Sequence, residues 1–143
     1  MESIGYTVSF YCYATATVLT ILIGLLYASR KQIMPYHLKA LETSWDGIDS
    51  KYQFMLKMLL NGGGFYGLSS GLFMLILLWI PFRDGQLWAG YTIGLVGLVG
   101  TLPLGYIVYQ VKTKTNGNPP LWIMIVVNLL LIVGLIGFYL STL

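Results

Sequence analysis

Charged residues are scarce in this sequence, and their scarcity indicates its class. Only 9% of the 143 residues are Asp, Glu, Lys or Arg, whereas 57% are hydrophobic. A soluble domain carries roughly 25% charged residues, so this chain lacks the charge that a water-exposed surface needs. Four intervals carry no charge at all, namely 3–29, 58–82, 85–111 and 115–143. Each is longer than the ~20 apolar residues that cross a bilayer core, which predicts an integral membrane protein.

Cysteine and histidine each occur once, and this limits the chemistry. Cys12 alone forms neither an intramolecular disulfide nor a Cys-x-x-Cys pair. His37 alone excludes bis-histidine haem ligation within one chain. No Asp, Glu, Lys, Arg or His lies deep within a predicted span, so the sequence indicates no proton relay and no voltage sensor. Zinc-protease, serine-hydrolase and Walker motifs are also missing, so the sequence implies no cofactor and an enzyme is not favoured.

The fold class expected is all-α: an up-down four-transmembrane-helix bundle with a short amphipathic cytoplasmic helix between spans 1 and 2. The predicted spans are about 6–29, 56–80, 87–111 and 120–141, within a single transmembrane domain, 1–143. The first span is expected to remain as a helix, because Glu2 stands where a signal peptide has basic residues and the apolar run is too long. The order of the helices around the bundle is not determined by the sequence.

The basic residues predict the orientation in the membrane. The first connection and its flanks, and the third connection, carry all but one of them: Arg30, Lys31, Lys39, Lys51, Lys57, Lys112 and Lys114. Only Arg83 lies in the second connection. The positive-inside rule therefore predicts that the first and third connections are cytoplasmic and that both termini are outside. The net charge of +3 needs no nucleic acid to explain it, because these residues can meet anionic lipid headgroups.

Local signals predict how the connections are built. Pro35–Trp45 reads as an amphipathic helix that begins at a proline and repeats apolar residues at helical spacing. Ser50 and Gln53 have capping-box spacing and predict the start of the second long helix. Asn118 is the candidate N-cap of the fourth span.

Small residues recur at helical spacing in the predicted spans. The proposed packing residues are Gly63, Gly67, Gly71, Gly90, Gly94, Gly97 and Gly105. Without side chains they allow two helix backbones to approach, and close packing drives helix association in lipid. Whether these stripes serve folding within one chain or contacts between copies stays open.

Two asparagines lie within predicted spans, where polar groups usually face inward and find partners. Pro103 has no N–H and so frees the carbonyl of Val99. We expect the Asn128 amide to satisfy that carbonyl, and Asn61 to bond Tyr106. Both asparagines then act as links between helices. The alternative is a polar site for a ligand, with candidate residues Asn61, Tyr66, Pro103, Tyr106 and Asn128.

The first connection offers the one cluster of potential metal ligands, His37, Glu42, Asp46 and Asp49. Imidazole and carboxylate groups can bind a metal or act as acid and base. Their spacing matches no metal motif, and charges in such connections usually serve solvation.

The same connection carries a resemblance. The stretch "YHLKALETSWDGIDSKYQFML", Tyr36–Leu56, resembles a pattern in small bacterial four-helix membrane proteins, in which a Tyr-His pair precedes a tryptophan, an acidic turn and a glutamine. The resemblance covers this loop and the start of the next helix. It implies a bacterial inner membrane and brings no activity to carry over.

Three functions follow from these patterns, in order of preference. The first is a non-catalytic bundle that acts through contacts with lipid, with a second copy as a homodimer, or with a partner membrane protein. The second is a bundle that binds or transports a small molecule or lipid near Asn61, Tyr106 and Asn128. The third is an enzyme or metal protein that uses the His37 loop.

Overall fold

Helices make up most of the chain. The computed structural model describes residues 3–143, and Glu2 lies outside them. The helices are α1 (Ile4–Ala28), α2 (Pro35–Ala40), α3 (Ser50–Leu77), α4 (Leu87–Lys114) and α5 (Leu121–Ser141). A 3₁₀ turn, Trp45–Gly47, precedes α3, and a π-helical turn, Leu78–Phe82, continues it.

Within residues 3–143, four helices are long and apolar enough to cross a membrane. They are Ile4–Ala28, Ser50–Phe82, Leu87–Lys114 and Leu121–Ser141. The prediction of an all-helical, multipass membrane protein is therefore confirmed at the level of helix length and composition. The second of these helices begins before its apolar run, because Asp49 caps it by accepting a hydrogen bond from the Lys51 amide at 2.9 Å.

The packing places α1 in the middle. It contacts α3 on one side and α5 on the other, α5 contacts α4, and α3 and α4 touch only sparsely. Contacting residues follow reverse order along neighbouring helices, as in α1 and α5, where Gly5 lies against Ser141 and Tyr13 lies against Gly134. The spatial order is therefore α3, α1, α5, α4, with one side of the assembly left open between α3 and α4.

Glycines lie at several close contacts between the helices. A Cβ atom on Gly64 would overlap the backbone of Ala28, and one on Gly24 would overlap the backbone of Leu68, so α1 and α3 meet backbone to backbone. On α4, a Cβ on Gly97 would lie 3.0 Å from the Leu131 side chain of α5. Gly63, expected to pack, has nothing within 4 Å of a Cβ built there. On this turn of α3 the packing position is Gly64.

Several local predictions for the connections need correction. The amphipathic helix ends at Ala40 instead of Trp45, and Glu42 follows it with φ +52°, a left-handed conformation that interrupts a helix. Asp49 replaces Ser50 as the cap of α3, while Gln53 donates to the Trp45 carbonyl at 2.8 Å. α5 begins at Leu121, after Pro120, so Asn118 is not its cap.

The core contains a polar side chain. Tyr13 of α1 is fully buried, and its hydroxyl donates to the Gly90 carbonyl of α4 at 3.0 Å. The ring occupies space that the absence of a side chain on Gly134 of α5 leaves free. Tyr13 therefore joins three helices where only glycine leaves room for it.

Candidate functional site

The open side of the assembly forms a groove. It has a volume of about 270 Å³ and lies between α3 and α4. α1 supplies its floor with Thr20, Gly24 and Tyr27, and α5 adds Met124 and Val127. We call this space the α3–α4 groove. Because α3 and α4 meet only sparsely, it opens sideways, towards the lipid that would surround a spanning bundle.

Small residues on both walls account for the width of the groove. Gly63, Gly67 and Ser70 line it from α3, and Gly100 and Thr101 line it from α4. A helix with larger side chains at these positions would fill the space. The glycine-rich run of α3 therefore does two things, since Gly64 brings α1 close while Gly63, one residue earlier, keeps the groove open.

Tyr66 reaches across the opening. This residue of α3 lines the groove, and its hydroxyl lies 3.7 Å from where a Cβ atom on Gly100 of α4 would stand. Its side chain is 62% exposed. Tyr66 thus connects the two walls at the mouth of the groove without filling the space beneath.

The polar groups in the groove are mainly hydroxyls. Thr20 donates to the Ala16 carbonyl at 2.8 Å. The Thr101 hydroxyl lies 2.9 Å from the Gly97 carbonyl and 2.8 Å from Asn128 Oδ1, and its single proton can serve either. Tyr27 pairs with the hydroxyl of Tyr36. These partners come from the protein itself, and the rest of the lining is mostly apolar, apart from the hydroxyls of Ser70 and Tyr66.

Asn61 has a role at a helix end. With its amide nitrogen turned towards them, it donates to the carbonyls of Tyr27 at 3.1 Å and Arg30 at 3.2 Å. α1 ends at Ala28, and the last carbonyls of a helix have no partner within it. The predicted bond to Tyr106 is therefore wrong, and the Tyr106 side chain is 62% exposed.

Asn128 links α5 to α4. Its amide donates to the Met124 carbonyl at 2.8 Å, and its oxygen faces Thr101. The predicted bond to the Val99 carbonyl is wrong, because Val99 is 74% exposed and the amide is used within α5. Pro103 is also exposed. Of the five candidate ligand residues, only Tyr66 lines the groove.

The candidate metal ligands are not brought together. Among residues 3–143, no three His, Cys, Asp or Glu side chains are grouped so that they could hold a metal ion. Glu42 instead accepts a hydrogen bond from Asn116 at 2.5 Å, and Asp49 caps α3. His37 packs edge-on against Tyr36, with ring centroids 4.4 Å apart. Burial lowers the pKa of His37, which favours its neutral form.

Sequence reasoning missed both Tyr13 and the groove. Tyr13 is not singled out by the sequence analysis, because nothing in its neighbours along the chain marks it as buried. The signal for the groove was present in Gly62–Gly64. Three consecutive residues of a helix point in three directions, so three glycines leave three faces of the helix without a side chain. Only one of those faces is needed for a helix contact.

The helices and the groove define a class, a multipass membrane protein with a lateral opening between two of its helices. Comparison with protein-family models, with curated proteins and with solved structures finds no match. The resemblance to small bacterial membrane proteins therefore depends on Tyr36–Leu56 alone.

Proposed function

We propose that this protein is a non-enzymatic, up-down bundle of four spanning helices that binds one apolar guest from the bilayer in the α3–α4 groove. The groove itself carries the proposal: about 270 Å³ of space, open sideways and bordered by glycines. In a bilayer such a space is not filled by water, because its walls offer few free polar groups. A molecule with an apolar chain fits it better.

Close contact between the atoms of the guest and those of the groove would drive binding. Lipid tails are as apolar as the groove, so transfer from water contributes little and close packing decides the affinity. An unfilled groove leaves its lining atoms without partners on one side. A guest that fits the walls restores these contacts, and a guest of the wrong width does not.

The orientation proposed is that of the positive-inside rule, with the first and third connections cytoplasmic and both termini outside, in a bacterial inner membrane. The hydrogen bond between Asn116 and Glu42 supports one part of this arrangement, the placement of the first and third connections on the same side, because it joins the two. The reverse order of contacts between neighbouring helices supports the up-down path.

A second candidate occupant of the groove is a helix from a partner membrane protein or from a second copy. Small residues are typical of helix interfaces in membranes, which favours this candidate. A whole helix is about 10–12 Å wide with its side chains, so it could insert side chains into the groove but not enter it.

The test uses two leucine substitutions in one helix. A Cβ atom on either Gly62 or Gly63 meets nothing within 4 Å, so both sites accept a side chain, but only Gly63 lines the groove. Protein released from mild detergent is weighed intact by native mass spectrometry. We expect one bound apolar molecule per chain in the wild type and in Gly62→Leu, and its loss in Gly63→Leu. A wild type that carries no guest, or equal retention in both variants, contradicts the proposal.

A further inference from the structure

We propose that the guest is a single acyl chain of an anionic phospholipid, drawn from the leaflet at the Lys57 and Lys112 end of the groove. The inference rests on the proposed function and adds the ligand class. It follows from the length of the groove, from its width and from the charges near one end.

The length of the groove fits one leaflet. On α3 its lining runs from Gly63 to Met74 and on α4 from Val96 to Val108. At ~1.5 Å per residue each wall is about 16–18 Å long. Half of a bilayer core is about 15 Å. The groove is therefore about as long as the part of an extended acyl chain that crosses one leaflet.

The width of the groove fits one chain. A volume of about 270 Å³ spread over a length of about 16 Å leaves a channel far narrower than a helix. A flexible hydrocarbon chain is the membrane component with this shape.

The charges identify the end at which the headgroup sits. Along the helix axes, Lys57 lies about 9 Å beyond Gly63, and Lys112 lies about 6 Å beyond Val108. Arg30 follows Tyr27, the last groove residue of α1. Long basic side chains keep their stems along apolar surface while the charge reaches the headgroup region. The opposite end of the groove, at Phe73 and Val96, has no charged residue within a turn.

The acidic residues of this end do not cancel that charge. Glu42, Asp46 and Asp49 keep their negative charge, but the same two connections and their flanks carry seven basic residues. Asp46 lies in the turn Trp45–Gly47, which is not part of a helix that lines the groove. A phosphate near Lys57 and Lys112 therefore meets a local excess of positive charge.

The experiment compares two lipids with the same chains. Wild-type protein in detergent receives equal amounts of dioleoyl-phosphatidylglycerol, which is anionic, and dioleoyl-phosphatidylcholine, which is zwitterionic, and native mass spectrometry counts each adduct. We expect one lipid per chain and a preference for the anionic lipid. The variant Lys57→Gln/Lys112→Gln should still bind one lipid but lose about fivefold of that preference for each lysine. Gly63→Leu should lose both lipids, and Gly62→Leu neither.

The other outcomes separate the two proposals. Equal binding of both lipids by the wild type, lost in Gly63→Leu, overturns the anionic assignment and leaves the proposed function standing. An anionic preference that survives removal of both lysines overturns their role as the headgroup site. No bound lipid on wild-type monomers, or a dimer without lipid, overturns both proposals.

Discussion

Tyr13 shows how a single residue holds this fold together. Its ring lies against Gly134 of α5, and its hydroxyl donates to the Gly90 carbonyl of α4. The carbonyl belongs to a helix backbone, and the hydroxyl is fully buried. Replacing the residue therefore has two separable consequences, the loss of one hydrogen bond and the loss of a large packed ring.

We predict that Tyr13→Phe lowers the free energy of unfolding by about 1 kcal/mol, the usual strength of a hydrogen bond between membrane helices. Tyr13→Ala should lower it by about 3–5 kcal/mol, because it also leaves a cavity the size of a ring. Unfolding in micelles titrated with sodium dodecyl sulfate measures both values. An alanine variant as stable as the wild type would show that the ring is not part of the core.

We predict that the stability of the folded protein depends on pH through His37. Burial lowers the pKa of His37 in the folded protein, whereas the unfolded chain protonates it near pH 6.5. The unfolded state therefore binds more protons as the pH falls below that value, and stability decreases. Thermal unfolding between pH 8 and pH 5 should show the decrease in the wild type and a smaller one in His37→Gln. Identical pH profiles for the two proteins would contradict the prediction.

At the residue level, the sequence predicts the kind of interaction better than the partner. Asn61 and Asn128 were expected to find partners within the protein, and both have them. The partners differ because Asn61 reaches carbonyls at the end of α1, and Asn128 reaches the Met124 carbonyl one turn earlier in its own helix. Which carbonyl is nearest depends on helix rotation, which one sequence does not specify.

α3 both packs closely against α1 and borders the open groove, and neighbouring glycines serve the two purposes. Gly64 and Gly71 face α1, Gly63 faces the groove, and Gly62 faces neither of them. The absent side chain at each position thus has a different consequence, although the residues are chemically identical.

We predict that Gly64→Ala lowers the free energy of unfolding by about 1–3 kcal/mol, since a methyl group there overlaps the backbone of Ala28 and forces α1 and α3 apart. Gly62→Ala is the matched control and should leave stability unchanged or slightly higher, because its methyl group meets nothing and alanine favours a helix. The same detergent titration measures both. Equal effects of the two substitutions would contradict the backbone contact between α1 and α3.

The apolar intervals predict the long helices well, and their connections less well. Length and lack of charge identify four helices because the bilayer demands about 20 apolar residues. α2 ends five residues before the predicted end at Trp45, because Glu42 takes a left-handed conformation. The helix caps expected at Ser50 and Asn118 lie at other residues. Short polar segments offer several alternative hydrogen bonds of similar strength, so their sequence constrains them less.

At the scale of the whole molecule, the main feature is the order α3, α1, α5, α4 and the side that it leaves open. The sequence did not determine this order, because helices that are apolar on every face do not show which face packs. The groove depends on the same information. Its glycines are visible in the sequence, but whether a neighbouring helix covers them is decided by the assembly.

The groove requires that α3 and α4 stay apart along its length. Pairs of introduced cysteines, in protein whose own cysteine is removed by Cys12→Ala, test this in membranes. Cβ atoms on Gly105 and Met124 would stand 3.7 Å apart, within the range of a disulfide. The Tyr66 hydroxyl, at the far end of its side chain, lies 3.7 Å from where a Cβ atom on Gly100 would stand, so we expect the Cβ atoms of these two residues to be further apart than a disulfide spans.

Mild oxidation of intact membranes should therefore cross-link Gly105→Cys/Met124→Cys and leave Tyr66→Cys/Gly100→Cys reduced, while a longer bis-maleimide bridges the second pair. The contrary result is a disulfide in Tyr66→Cys/Gly100→Cys that forms as fast as the one in the control, Gly105→Cys/Met124→Cys. It would show that α3 and α4 close together in the bilayer. The groove, and every proposal that depends on it, would then be wrong.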